Sequence, residues 1–422
     1  MSRHAAALTL LVACAGTSPP AARDAAPETP SDVVAADAPP VVDPTPPAEP
    51  GRHAVTVADT RQVIPGPGLP AESPPENSNN NLDVVLHEGR VWLVWRTAPD
   101  HFASANAKLY VVSSEDERTW RFEARFTAAT DLREPRFLSL DGTLHLYMAR
   151  LGTERLSFDP RGMWRSERRA DGTWTDPVRF HRAGFIPWRA RVERGTPYLM
   201  AYVGGEHIYR FDGLPLEVEF LTTRDGRTWA PVDAARPVVY RGGGSESDFT
   251  LGDDGTLYAV IRNEAGDATG FGSKVCRAPA GDLARWTCRS DPRKYDSPWM
   301  FWHDGEAYLV GRRNVTDTGN YDLMMTGLEM QGQAGINQYR YATHRKRCSL
   351  WRYVQAEDRI AWVLDLPSQG DTCFAAGFPS ITPGEWVVYN YSSPVDGDDP
   401  YWNRAQQGPT RIYRHVLRFA RR

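Results

Sequence analysis

Apolar and polar residues alternate in short runs along most of this chain, and one arrangement of those runs returns six times. Each copy is a hydrophobic strand, a two-residue turn ending in glycine, and a second strand rich in aromatic and β-branched residues. Period-two alternation across a turn that tolerates positive φ predicts a β-hairpin. The turns are Glu88-Gly89, Asp141-Gly142, Arg194-Gly195, Asp254-Gly255, Asp304-Gly305 and Pro383-Gly384. Units recurring every ~50–80 residues bury their faces only against neighbouring copies, which predicts a ring. The expected fold class is all-β, a six-bladed β-propeller over residues 53–422, with function in the central funnel.

The inner hairpins are expected at 82–95, 134–149, 188–202, 246–261, 297–311 and 378–391, with outer strands such as 108–112, 217–222 and 351–354. The longest gap, 313–377, contains a stretch rich in Met, Gly and Gln at 324–338. That stretch reads as a loop inserted near the funnel mouth or as a surface excursion. Residues 410–419 read as a last strand, closing the ring by pairing near the N-terminal strand of the first blade, around 53–64.

The length of 422 residues is filled by six such repeats, so it does not call for a second domain. A formal charge of −4 provides no basic footprint, which argues against a nucleic-acid partner. Residues 1–13 read as an export signal: Arg3 and His4 precede an apolar run too short to span a bilayer as a mature helix. Leu11-Val12-Ala13-Cys14 resembles the lipobox of bacterial lipoproteins, which implies cleavage before Cys14 and lipidation of its thiol. The alternative is an ordinary signal with an incidental cysteine. Residues 14–52 are dominated by Ala, Pro, Asp and Glu and read as a disordered tether. The expected location is the cell envelope, with the membrane reached through the lipid only and the protein acting as a monomer.

Beyond Cys14 the remaining cysteines are Cys276, Cys288, Cys348 and Cys373. Three pairings are open; the local ones, Cys276 with Cys288 and Cys348 with Cys373, are favoured because each would cross-link nearby segments of one blade. A zinc site is the alternative, but none of the four has a CxxC partner or a histidine at ligand spacing.

Antiparallel pairing brings the residue that opens a hairpin and the residue that closes it to the same rim. Arg96, Arg150, Arg262 and Arg312 close four hairpins, and sixteen positions before them stand Asn80, Glu134, Glu246 and Asp296. This predicts a funnel mouth of carboxylate and guanidinium groups, suited to a polar sugar by bidentate hydrogen bonding and acid–base catalysis. The competing reading is a salt bridge repeated with the blade. Further acids expected at the rim are Asp83, Asp248 and Asp371, and Trp188 or Trp299 are candidates for stacking on a sugar. Arg133-Glu134-Pro135-Arg136 is similar to inner-strand motifs of five-bladed glycosidases, although six hairpins argue against that fold. The ten histidines show no ligand spacing, so neither metal nor cofactor is expected.

Three turns, Ser113-Ser114-Glu115-Asp116-Glu117-Arg118-Thr119-Trp120, Thr222-Thr223-Arg224-Asp225-Gly226-Arg227-Thr228-Trp229 and Ala170-Asp171-Gly172-Thr173-Trp174, resemble the Ser-x-Asp-x-Gly-x-Thr-Trp motif of the sialidase superfamily. In this alignment the first copy lacks the glycine, and Arg224 stands at the Asp position of the second. The resemblance implies a structural hairpin with its Trp packed inside. It also implies that Glu246 with Arg262 matches the family's glutamate and hairpin-closing arginine, and that Asp100 falls where the family places its acid. The remainder departs from the family. Asn79-Asn80-Asn81-Leu82 replaces the first-blade Arg-Ile-Pro, the third carboxylate-binding arginine falls near Phe301, and the tyrosine nucleophile corresponds to Phe378. Phenylalanine has no hydroxyl with which to attack an anomeric carbon. The chain is therefore expected to act on or bind carbohydrate without ordinary sialidase chemistry, through Glu246, Arg262, Asp100, Glu134 and Asp296, or to be a non-catalytic binding propeller.

Overall fold

The computed structural model describes residues 43–422 apart from 50, 156 and 183, so Cys14 and most of the expected tether lie outside the described residues. Strand β1 (His53–Ile64) is followed by five blades, each contiguous in sequence. Blade 1 is β2 (Ser78–His87), β3 (Arg90–Ala98), β4 (Lys108–Ser114) and β5 (Arg121–Phe126). Blade 2 is β6 (Asp131–Leu140), β7 (Thr143–Leu151), β8 (Pro160–Glu167) and β9 (Val178–Phe180). Blade 3 is β10 (Ile186–Glu193), β11 (Thr196–Val203), β12 (Leu216–Thr223) and β13 (Trp229–Pro231), with β14 (Val238–Gly242) also paired to β12. Blade 4 is β15 (Gly244–Leu251), β16 (Leu257–Asn263), β17 (Ser273–Ala278) and β18 (Thr287–Asp291). Blade 5 is β19 (Asp296–His303), β20 (Glu306–Asn314), β21 (Lys346–Val354) and β22 (Arg359–Asp365).

Blade 6 takes β23 (Ala376–Pro379), β24 (Glu385–Ser392) and β25 (Arg411–Arg421) from the end of the chain and β1 from its beginning, in the order β1-β25-β24-β23. The pairing of the two ends agrees with the sequence expectation, but β1 is the outer edge of the last blade and no part of the first. The result is a six-bladed β-propeller.

The inner hairpins form because their turns supply the backbone that tight reversal needs. At Glu88-Gly89, Asp141-Gly142, Arg194-Gly195 and Asp304-Gly305 both central residues have positive φ, the geometry whose twist matches that of paired strands. Alternate residues of the strands then pack between blades. Trp92, Val94 and Leu109 of blade 1 meet Phe137, Leu144 and Leu146 of blade 2, each burial contributing about 1.5–3 kcal/mol.

The Asp-box turns are structural, with a shift in register. Asp116 accepts the backbone N–H groups of Arg118 and Thr119 (both 2.8 Å), and Asp225 accepts those of Arg227 and Thr228 (both 2.8 Å). The aspartate of the second copy is thus Asp225, not position 224, with Gly226 directly after it at φ +65°, and Thr223 donates to the Thr228 carbonyl.

Cys276 and Cys288 face each other across β17 and β18 and are bonded. Cys348 and Cys373 are bonded too, but they stitch blade 5 to the start of blade 6 instead of closing one blade. In the long gap, residues 330–342 are not a loop but helix α1 (Met330–Ala342), which lies over the funnel end of blade 5. Residues 43–49 run along blade 5, where Asp43 pairs with Arg345 (2.6 Å) and Glu49 with Arg359 (2.6 Å). Among the described residues no helix is long and apolar enough to cross a membrane.

Candidate functional site

At the funnel end, the inner strands of blades 1 to 5 each break register with their partner by a β-bulge. A bulge sets two residues against one and re-aims a side chain. The bulged positions carry Asn81, Glu134, Trp188, Glu246 and Ser297, and Asn81, Glu134 and Ser297 hold φ of +41°, +50° and +52°. Repeated bulging therefore points polar side chains from separate blades toward one axis.

Three of the four expected cross-strand pairs form, Asn80 and Arg96 among them as register partners with Arg96 donating to Asn80 Oδ1 at 3.4 Å. Asp296 and Arg312 are register partners bonded at 2.9 Å, and Glu246 meets Arg262 at 2.8 Å. The latter two pairs join into one cluster, because Arg262 also reaches Glu264 (3.0 Å) and Asp296 (3.6 Å) while its Nε donates to Ser245 Oγ (3.0 Å). Lys294 pairs with Glu264 and Asp296 and lies over the rings of Tyr321 and Tyr341. Helix α1 closes this side: the Tyr341 hydroxyl donates to Asp296 (2.6 Å), and the Gln338 amide donates to Glu264. The mouth is narrow, with Glu246 8% exposed.

Burial pushes the Glu246 carboxyl up to about 7; Arg262 opposes this and the charges of Asp296 and Glu134 add to it. The backbone N–H of Ser297 in the next blade donates to its Oε2 at 2.7 Å. Asp296 is buried as well, but Lys294, Arg312 and Arg262 hold it below the usual carboxylate range. Glu264 is likewise held low by Arg262 and Lys294 against its burial. Acids of contrasting proton affinity thus stand side by side, the usual basis for dividing acid and base roles. Among the described residues no set of three or more His, Cys, Asp or Glu is arranged to hold a metal ion.

Glu134 stands across the mouth on blade 2. Burial raises its carboxyl, with Arg136, Arg133 and Arg262 opposing. Asn81 donates to its Oε1 at 3.2 Å, while its Oε2 and the Asn81 carbonyl oxygen are buried with no hydrogen-bond partner. Its expected partner Arg150 is absent from the mouth: the register sets Leu132 opposite Arg150, whose guanidinium lies over Trp164 at 4.5 Å.

The loop after the first hairpin bridges blades 1, 2 and 6. His101 meets Asp371 at 2.7 Å and accepts Arg133 through its carbonyl, and Asp100 is bound by Arg155 from blade 2. Asp371 is fully buried, accepting also from Tyr391 (3.1 Å) and the Trp402 indole (3.0 Å). Asp100 is therefore at the rim, outside the Glu246 cluster.

Several expected site residues lie deeper and hold the ring together. Arg189 reaches Asp83 of blade 1 and Asp248 of blade 4 (both 3.3 Å), and the carbonyls of Pro298 in blade 5 and Ala375 beside blade 6 (both 3.3 Å). Asp83 accepts the Phe137 N–H and Asp248 the Met300 N–H (both 2.7 Å), so each acid ties its blade to the next. Arg136 sits between Trp188 and Phe374, and burial lowers its pKa to about 10. Trp188 is sealed in this plug. Trp299 packs on Phe301 and Trp386 between blades 5 and 6, so neither tryptophan faces the mouth. Arg96 is committed to Asp131 (2.9 Å), to Asn80 (3.4 Å) and to loop carbonyls. Phe301 and Phe378 both belong to apolar clusters away from the acids.

Sequence reasoning missed Glu264, Lys294, Arg189 and Tyr209. Glu264 lies two residues past Arg262, and Lys294 two before Asp296, so the extension of each hairpin past its closing pair was a usable signal. Tyr209, 48% exposed, stands on the rim within electrostatic reach of Glu264, Arg262 and Glu246. Two clefts open elsewhere, about 320 Å³ beside His53, Tyr308 and Arg352 and about 420 Å³ beside His181, Glu219 and Trp229. Neither includes a carboxylate of the mouth cluster.

No protein-family model and no curated protein matches this sequence. Solved structures do match in fold. A protein of unknown function from Dyadobacter fermentans superposes with a TM-score of 0.57 at 13% identity, over 87% of this chain and 100% of its own. Trypanosoma rangeli sialidase in complex with sialic acid gives 0.51 at 11% identity, over 81% of this chain and 54% of the enzyme. The endosialidase of phage phi92 gives 0.51 at 9% identity, over 88% and 70%. The chain spans about half the length of the trypanosomal protein. These likenesses establish a sialidase-like propeller fold.

Proposed function

We propose that the funnel mouth is a carbohydrate site and that Glu246 is its proton-carrying group, acting on a glycosidic bond without the tyrosine chemistry of a sialidase. The observation that carries this reading is a buried carboxyl raised to about 7 while in contact with Arg262 and facing a second raised carboxyl, Glu134, from another blade. A carboxylic acid that is partly protonated near neutrality can protonate a leaving oxygen, and a second carboxylate can activate water or steady the sugar cation. Arg262 fixes the Glu246 side chain, and Asp296, held ionised, keeps Arg262 in place. Sialic acid was bound to one of the similar folds, which supports a sugar as ligand class. Phe378 has no hydroxyl and packs against Tyr389 in the core, which speaks against a sialidase nucleophile at that position.

The test is a screen for sugars released from a polysaccharide panel, with Glu246→Gln as control. Turnover that disappears in the variant supports catalysis. Saturable binding that survives the substitution, with no product, would make the protein a binding module.

Export and lipid attachment at Cys14 are part of the same proposal. Two cysteine pairs in bonded geometry support an oxidising compartment. Cys14→Ala should move the protein from the membrane fraction to the soluble one.

A further inference from the structure

Each cation of the mouth cluster is already committed to acceptors. Arg312 donates to the Thr372 carbonyl, the Cys373 carbonyl (3.4 Å), Asp296 (2.9 Å) and the Tyr391 hydroxyl (3.3 Å). Arg262 is shared among Glu246, Glu264 and Asp296, and Lys294 between Glu264 and Asp296. A ligand carboxylate would have to break these pairs while lying against Glu134 and Glu246.

The unmet demand at the mouth is of the opposite kind. Among the described residues, the buried polar atoms of the bulges that lack a hydrogen bond are acceptors: Asn81 Oδ1 and Glu134 Oε2. Asn81 is only 6% exposed. Its amide nitrogen donates to Glu134 Oε1, which fixes its orientation and turns its oxygen the other way. The two orphan acceptors therefore belong to side chains that hold each other on adjacent blades. Each buried acceptor left without a donor costs about 1–3 kcal/mol, which a donor on the ligand would recover. Glu134 Oε2 does lie 3.9 Å from Arg136 Nη2, a loose ion pair short of a hydrogen bond, and Glu264 Oε2 and Asp296 Oδ1 likewise lack hydrogen bonds at ion-pair distance from Arg262, so that of these four acceptors Asn81 Oδ1 has neither kind of partner.

We propose that this mouth selects a sugar that brings hydrogen-bond donors and no negative charge, taking an ammonium-bearing amino sugar ahead of a neutral one and rejecting acidic sugars, with Asn81 and Glu134 as the specificity determinants. The inference rests on the carbohydrate reading above and reverses the charge preference that a cluster of free arginines would impose. An ammonium group provides three donors and a charge complementary to Glu134, whereas a hydroxyl provides one donor.

The test is binding of the full described chain, residues 43–422, to an array of amino, neutral and acidic glycans in matched linkages, followed by titration of the best ligand of each class. The expected order is amino, then neutral, with acidic glycans at background. Glu134→Gln should cut the amino-over-neutral ratio about tenfold, the size of one charge-assisted bond, and Asn81→Asp should increase it. Thermal melting of both variants checks that they fold. Acidic glycans bound as tightly as neutral ones, or a ratio unmoved by both substitutions, would overturn the inference and leave the carbohydrate reading standing. Failure of every glycan to bind would overturn both.

Discussion

Asp248 and Glu246 stand two residues apart on β15, both buried and both beside arginine, yet they face different surroundings. Asp248, in the axial plug, accepts from Arg191 (2.8 Å), its own neighbour Phe249 (2.8 Å) and Met300 of the next blade (2.7 Å), and lies at ion-pair distance from Arg189 (3.3 Å). Glu246, at the mouth, pairs with Arg262, accepts the Ser297 N–H, and shares its surroundings with Asp296 and Glu134 and, through Arg262, with Glu264. The plug meets its acids with arginine and with backbone from several blades, while Arg136 Nε and Nη2 and Arg189 Nε stay without a hydrogen bond; the mouth engages its cations and leaves carboxylate oxygen over. Buried acid–arginine contact alone thus says little about role, and the balance of donors and acceptors around it says more.

The largest expected effect falls on the plug. Asp248→Ala removes the acid that Arg189 and Arg191 share and the acceptor of the Met300 N–H and should cost about 3–5 kcal/mol in urea denaturation, whereas Glu134→Gln should cost under about 1 kcal/mol. Equal losses from the two would erase the distinction. Next in size, Glu246→Gln should lower turnover by roughly 10²–10⁴-fold while the melting temperature changes little, since a proton-transfer group is lost and its shape kept.

A smaller effect concerns pH. The Glu246 carboxyl rises from 4.5 to about 7 on folding, so between those values the folded chain holds a proton that the unfolded chain has released. Its stabilising contribution is full below pH 4.5 and is lost as pH climbs to 7, on the order of 2–3 kcal/mol. Glu246→Gln should lack this decline. Asp296 and Glu264, held low, contribute the opposite limb, lost only as the solution becomes more acid than an ordinary carboxyl. A wild-type profile that rises from pH 5 to 7 relative to the variant would contradict the assignment. The smallest effect should come from Tyr209→Ala, within about 0.5 kcal/mol in stability because the ring is half exposed, yet weakening ligand binding.

The six hairpins were legible because a glycine turn between alternating strands is a local signal. Glu246–Arg262 and Asp296–Arg312 were legible for the same reason, since antiparallel spacing converts directly into contact. Glu134–Arg150 followed the same spacing and failed: bulges of the same kind leave the pairs of blades 4 and 5 together, but in blade 2 the tight turn at Asp141-Gly142 sets the register so that Leu132, two positions earlier, faces Arg150. Asp83, Asp248, Trp188 and Trp299 were misplaced for a different reason: period two tells which face a residue takes, not how far down the funnel it sits. Cys348–Cys373 showed the same limit, since nearness in sequence hid a blade boundary.

The sixth blade also sets a constraint on biogenesis. Its edge strand leaves the ribosome at residue 53, and its other three strands arrive only with residues 376–421. Five blades can condense in order of synthesis, but β1 has no register partner until β25 is made. Locking of the ring therefore waits for β25, and a chain cut short before that strand is left as an open arc with two bare sheet edges.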